Sequence, residues 1–341
     1  MNRNAPVRVE FHSGGGSSRN NVENVAHVPE LPIDRAIGRR RIRSPVAGVA
    51  GNNWQFFKAS IARSRAAAVV PGGALPPIDP DSLQQAIDAF RVYCGVLLLS
   101  FAQHGQGLRE TIARRFVGRG MICTQNIFAV WRSGSEHDAW ILHRSLIDRL
   151  FHLHYLGETG GFSEFDDFSF ASLYEARQQL LADPDMRGKL PKSLKDLQQR
   201  GKARYEQIPP RQSRWRRPKA KDVAKQMDLC FLYSCAYDFA SAQVHPTSDE
   251  GEADFEILTK PPGSVALPSS NVVTNSILIH TMLVQEALNI SEMRWHALVY
   301  DFLDHMHLFL KTGEQRFQLT MREIAQFWPA SPLCEPPISK G

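Results

Sequence analysis

The sequence predicts an all-α protein: an antiparallel helical bundle preceded by a disordered N-terminal arm. Three observations predict it. After residue 80, apolar residues recur at spacings of three and four through most segments, which is the period of a helix with one buried face. No run alternates apolar and polar residues between turn signals, so strands are not expected, and no internal repeat is visible. Residues 1–50 are rich in Gly, Ser, Asn, Pro and Arg, with a basic cluster at Arg39, Arg40, Arg41 and Arg43. Such a composition buries too little apolar surface to offset the entropy of ordering.

In chain order, 54–70 reads as a short helix and 71–77 as a Pro/Gly linker, which makes 1–79 an arm and linker. Asp81 or Ser82 caps a helix that runs to about residue 103, where Gly105 and Gly107 break it. Short helices follow at 108–117 and 121–132. Ser133, Gly134 and Ser135 open a helix that ends at Gly157. Residues 162–181 form another, stopped by Pro184, and 192–207 is a polar, basic helix. A Pro- and Arg-rich loop over 209–218 leads into one long helix, 221–247. Beyond an acidic loop with Asp249, Glu250, Glu252 and Asp254, one or two long helices span 272–311, and a last helix covers 314–328. The bundle domain is thus 80–328 and a Pro-rich tail 329–341.

The chain has 341 residues, 43% hydrophobic and 22% charged, enough for a sizeable core. A net charge of +5 permits a nucleic-acid partner without demanding one. Five cysteines include no CxxC pair and no zinc spacing. Cys230 and Cys235 read as small core residues, and the pattern suits a reducing compartment. The longest apolar run, 92–102, is too short to span a bilayer, and the N-terminus lacks the apolar stretch of a secretory signal. A soluble, cytoplasmic protein is expected, with no membrane association. No P-loop, dinucleotide fingerprint, HExxH or EF-hand occurs, so neither a cofactor nor a metal is expected.

Two segments carry candidate chemistry. In 221–247, Tyr233, Tyr237, Ser241 and His245 recur every four residues and form one stripe on an otherwise apolar helix. Such a stripe needs partners when buried. In 136–156, Arg144 and Asp148 are one turn apart and His152 lies a turn further on. One reading is a polar site in which Arg144 neutralises an anion and a histidine moves a proton, with Asp148, Tyr237, Ser241 and His245 around them. The other is a buried network that only fixes the fold, with His245 capping its helix. Ser241 and His245 lack a nucleophile elbow, so a serine hydrolase is not expected. A second candidate is the basic cluster Arg214, Trp215, Arg216 and Arg217: charge for phosphate with an aromatic for stacking. Its alternative is a solvated loop with Trp215 tucked onto the bundle.

The two segments together resemble a known family. Arg144-Ser145-Leu146-Ile147-Asp148 with His154-Tyr155-Leu156 resembles an "RSLxE…xYL" helix. Trp215, Tyr233, Tyr237, Ser241 and Val244-His245-Pro246-Thr247 resemble a "W…Y…Y…S…VHPS" segment of the same family. That family is a group of bacterial helical proteins catalogued as domain of unknown function 5677. Asp148 stands where the pattern has Glu, which shortens the carboxylate's reach. The resemblance implies a helical bundle over roughly 85–310 and points to a location for a site, without bringing a reaction. Arg149 to His154 and Arg132 to His137 also resemble the Arg-x4–6-His motif of helical HEPN-type ribonucleases, although 12 histidines among many basic residues produce such matches by composition. The expectation is a metal-independent, ribonuclease-like effector in bacterial defence, with RNA or a protein as partner. The alternative is a non-catalytic helical interaction module whose polar stripe is structural and whose basic loop binds a partner.

Overall fold

The computed structural model describes residues 78–105, 107–186, 189–210, 215–244, 251–261, 264, 266–328 and 333–335. The expectations for 1–77 lie outside these residues. The first helix, α1 (Pro80–His104), begins two residues earlier than the sequence suggested. Asp79 accepts the amides of Asp81 and Ser82, and Pro80 takes the first helical position, where a missing N–H costs nothing.

The next helix, α2 (Leu108–Arg132), is a single helix where two were expected. Its glycines are contact points rather than breaks. A Cβ on Gly120 would lie 2.6 Å from Leu283 Cδ2 and 3.1 Å from His280 Cδ2, so the bare backbone lets another helix cross closely. Helix α3 (Glu136–Thr159) starts at Ser135, whose side chain accepts the Asp138 amide, and ends at Gly160 in the left-handed region with φ 69°. Helices α4 (Phe162–Ala182) and α5 (Lys192–Gln207) form a hairpin. Tyr205 stacks on Tyr174 at 4.3 Å, and Arg204 pairs with Asp166 at 2.7 Å and Asp167 at 3.0 Å. No residue of α5 is buried.

The long helix expected over 221–247 is divided. Helix α6 (Ala220–Gln226) ends where Asp228 takes φ 57°. The Leu229 amide donates to the Ala224 carbonyl at 2.7 Å and the Asp228 amide to Lys225 at 3.2 Å, the paired bonds of a Schellman stop. Asp tolerates the left-handed conformation better than most side chains, and buried Leu229 and Ala224 sit at the two ends of the longer bond. The chain restarts as α7 (Cys230–Leu232), continues through a π-helical stretch (Tyr233–Asp238), and closes as α8 (Phe239–Ala242). Cys230 is exposed and Cys235 half-buried, which corrects their reading as core residues; the break at Asp228 re-aims this face.

After α9 (Glu252–Thr259) comes α10 (Asn271–Ile290), which is buried almost all round and is the centre of the bundle. It packs against α2 and α3, while α1 covers α2. A short strand, β1 (Arg294–Trp295), separates α10 from α11 (Ala297–Thr312), so the span 272–311 holds two helices. Helix α12 (Phe317–Phe327) lies on α11 and α1. The chain after 328 returns to the bundle: β2 (Cys334–Glu335) pairs antiparallel with β1, and Leu333 and Cys334 are buried. Two polar bonds tie distant elements: Tyr93 donates to the Val299 carbonyl at 2.9 Å in the core, and the Trp131 indole to the Ser269 carbonyl at 3.0 Å.

Among the described residues, α1 alone is long and apolar enough by composition to cross a membrane, with a mean hydropathy of 1.3. In this fold its Leu83, Phe90, Tyr93, Leu97 and Phe101 are core residues. Among the described residues the architecture is all-α apart from the two-residue strands.

Candidate functional site

The polar residues of α3 meet the π-helical stretch. In a π turn the backbone bonds skip one more residue than in an α-helix, which widens the turn and changes the face each later side chain takes. Tyr233 and Tyr237 stack at 5.5 Å, and Tyr237 leans over α3. Its hydroxyl donates to Asp148 Oδ1 at 3.1 Å, and the Arg144 guanidinium carbon lies 5.1 Å from its ring centroid. Burial, and then the Asp148 carboxylate, hold the Tyr237 phenol above its usual range, with Arg144 pulling the other way. Arg144 Nε is buried with no hydrogen-bond partner among the described residues. Three of the expected residues, Arg144, Asp148 and Tyr237, are therefore in direct contact.

Ser241 is placed otherwise. Its hydroxyl donates to the Tyr237 carbonyl at 2.7 Å, a bond within its own helical run. That back-bond satisfies it locally, so it contributes no aimed nucleophile. His245 lies outside the described residues, as does Arg214.

His152, which the sequence places one turn beyond Asp148, belongs to the cluster. Its Nδ1 is 2.6 Å from the Asp148 carbonyl. A carbonyl only accepts, so Nδ1 carries the proton and Nε2 presents a lone pair. Burial lowers the His152 pKa; Asp148 opposes this, while Arg217 and Arg149 reinforce it. The ring is thus neutral near pH 7, and two guanidinium groups are close enough to act on it.

Trp215 explains how the basic segment reaches this place. The indole lies 4.9 Å from the Phe165 ring, 5.3 Å from Phe168, 5.9 Å from His152 and 6.4 Å from Tyr155. The ring is engaged by the bundle, which is the tucked arrangement rather than a free stacking platform. It carries the exposed Arg216 and Arg217 to the edge of the α3 cluster.

The Arg-x4-His pattern over Arg149 and His154 does not assemble. Arg149 turns back to the carbonyl and hydroxyl of Ser145, while His154 reaches Glu286 Oε1 at 2.9 Å on α10. Five residues on a helix separate two side chains by more than a third of a turn. Arg132 faces Asp81 at 3.9 Å and the Phe128 ring.

A second polar set lies within the core and carried no signal beyond isolated histidines in apolar runs. The Ser276 hydroxyl donates to Val272 at 2.6 Å, so the contact of His143 Nδ1 with Ser276 Oγ at 2.9 Å has the imidazole as donor. His280 Nε2 donates to Val117 at 3.3 Å. Burial pushes the pKa of both rings down to about 3. Among the described residues, no three His, Cys, Asp or Glu side chains are grouped to hold a metal.

Comparison with known proteins bears on this region. Residues 110–257 match the model of a family of unknown function (DUF5677). The match runs from the first turn of α2 into the last turn of α9, and therefore covers the whole contact set of Arg144, Asp148, His152, Trp215 and Tyr237. No curated protein and no solved structure matches the chain. The chain therefore resembles, over 110–257, a helical family of unknown function whose matched segment contains the candidate site.

Proposed function

We propose that this chain binds RNA and cleaves it without a metal, as a ribonuclease-like effector of the kind that serves bacterial defence. The observation that supports the reading is His152, a neutral imidazole with its tautomer set by the Asp148 carbonyl and Arg149 and Arg217 acting on it. In the proposed step, Nε2 of His152 takes the proton of a ribose 2′-hydroxyl. The 2′-oxygen attacks the adjacent phosphorus, the bond from phosphorus to the 5′-oxygen breaks, and that oxygen takes a proton from a second group. His245 is the sequence's candidate for that donor. Arg217 and Arg144 are the candidates for stabilising charge on the phosphorane.

The test is RNA cleavage by the full chain in chelator, with growth arrest on expression as the cellular readout. Wild type is compared with His152→Ala, Arg144→Ala and His245→Ala at matched folded yield. Loss of at least 100-fold in the His152 and Arg144 variants is expected, within the range usual for a lost acid–base group. Intact RNA after prolonged incubation with folded wild type overturns the reading.

The alternative is a non-catalytic interaction module. The closed bonds of Ser241 to Tyr237 and of Tyr237 to Asp148 favour it, because they satisfy the stripe internally. On that reading the RNA stays whole and the same substitutions change only stability.

A further inference from the structure

Positive charge is not spread evenly over this chain. Residues 187–225 contain fourteen Lys and Arg against three Asp and Glu, a net +11 in a chain whose total is +5. Helix α5 carries five of these cations against Asp196 and Glu206, and 215–225 carries five against Asp222, whereas α4 is acidic, with Glu164, Asp166, Asp167 and Glu175. Helix α5 holds to α4 by one face, where Tyr205 stacks on Tyr174 and a Cβ on Gly201 would lie 3.2 Å from the Phe170 ring. The remainder of α5 is exposed, and at about 1.5 Å per residue its 16 residues give a rod about 24 Å long. Lys192, Lys195, Lys219 and Lys225 make no ion pair among the described residues. The same basic sequence runs on from α5 into the segment that Trp215 pins beside His152.

The aromatic groups along this track are already engaged. Trp215 lies among Phe165, Phe168 and His152, and Tyr205 lies on Tyr174 with its hydroxyl 3.0 Å from Glu175. A surface that offers charge without free rings recognises phosphate and not base faces. It gains most from the polyanion of highest charge density.

We propose that the exposed face of α5 and the segment 215–225 form one docking surface for the phosphate backbone of a paired RNA stem, leading that RNA to the α3 cluster. This inference rests on the RNA reading above and extends it from the site to its substrate class. Contacts are sequence-independent and electrostatic, and the stem binds more tightly than a single strand of equal length.

The experiment measures binding of the full chain to a labelled RNA hairpin, to an unpaired RNA of the same length and to phosphatidylglycerol vesicles, across a salt series. The variant is Lys192→Ala/Lys195→Ala/Lys202→Ala, whose residues are exposed, so the bundle is expected to stay intact; circular dichroism checks this. The expected result is at least tenfold weaker hairpin binding at 100 mM salt. The slope of log affinity against log salt is expected to fall by about 0.9 for each phosphate contact removed. Equal affinity and slope in the variant overturn the docking surface, as does tighter binding to vesicles or to the unpaired strand than to the hairpin. Cleavage separates the two readings. The triple variant should still cut at saturating RNA, whereas His152→Ala should bind like wild type and not cut. A wild type that binds the hairpin and cuts nothing retires the cleavage reading and leaves the docking surface standing.

Discussion

Acidification is expected to unfold this protein well above the pH at which its carboxylates alone would do so. His143, His280 and His307 are buried in the bundle, and burial lowers their pKa values to about 3, about 3 and about 4, with Lys311 adding to the effect on His307. In the unfolded chain a histidine titrates near 6.5. The folded state thus binds fewer protons than the unfolded state throughout the window from about 6.5 down to about 4. The stability these rings allow is fully present well above 6.5 and is lost as the pH falls through it. Each unit of pH below the unfolded value costs about 1.4 kcal/mol per ring, so at pH 4.5 each ring contributes a loss of about 3 kcal/mol and the three together about 8. That is comparable with the whole stability of a typical domain, about 5–15 kcal/mol. The assay is urea unfolding followed by circular dichroism at pH 7.5, 6.5, 5.5 and 4.5. Stability should fall by about 1 kcal/mol between the first two and then with a slope approaching about 4 kcal/mol per pH unit. The double variant His143→Gln/His280→Gln, measured against its own value at pH 7.5, should lose about two-thirds of that slope. A wild-type stability that is level down to pH 5 would refute the reasoning, because it would mean that these rings protonate without opening the core.

Other outcomes follow from single contacts. Gly120→Ala places a methyl group 2.6 Å from Leu283 Cδ2 and should destabilise by about 1–3 kcal/mol, read from the urea midpoint. Asp228→Val forces a β-branched residue to φ 57° and should cost about 1–2 kcal/mol, while Asp228→Gly should be neutral or stabilising. Trp215→Ala removes the ring that ties the basic segment to Phe165 and Phe168; trypsin should then cut after Arg216 several-fold faster, and an unchanged rate would deny the anchor.

Much of this protein is legible before folding is considered. The helix beginning at Phe162 is marked by apolar spacing and its end by Pro184, which acts locally. The pairing of Arg144 with Tyr237 was readable in outline, since both lie on stripes that burial obliges to find partners. Local rules misread other places for identifiable reasons. Gly118 and Gly120 look like a break, yet α2 runs through them because α1 packs at Gly118 and α10 on the bare backbone of Gly120, supplying what propensity withholds. The run 221–247 looks uniform, yet Asp228 stops it with two backbone bonds that no composition announces.

By itself, then, the sequence determined the all-α class, most helix positions, the concentration of positive charge and the identity of the polar residues on α3. These depend on periodicity, capping and charge, which act over one or two turns. Only the tertiary structure decided that Trp215 is an anchor, that Tyr237 reaches Asp148 and that His154 turns to Glu286 on α10. Those outcomes turn on which side of a crowded helix a side chain finds room and a hydrogen-bond partner, and that is settled by residues far away along the chain.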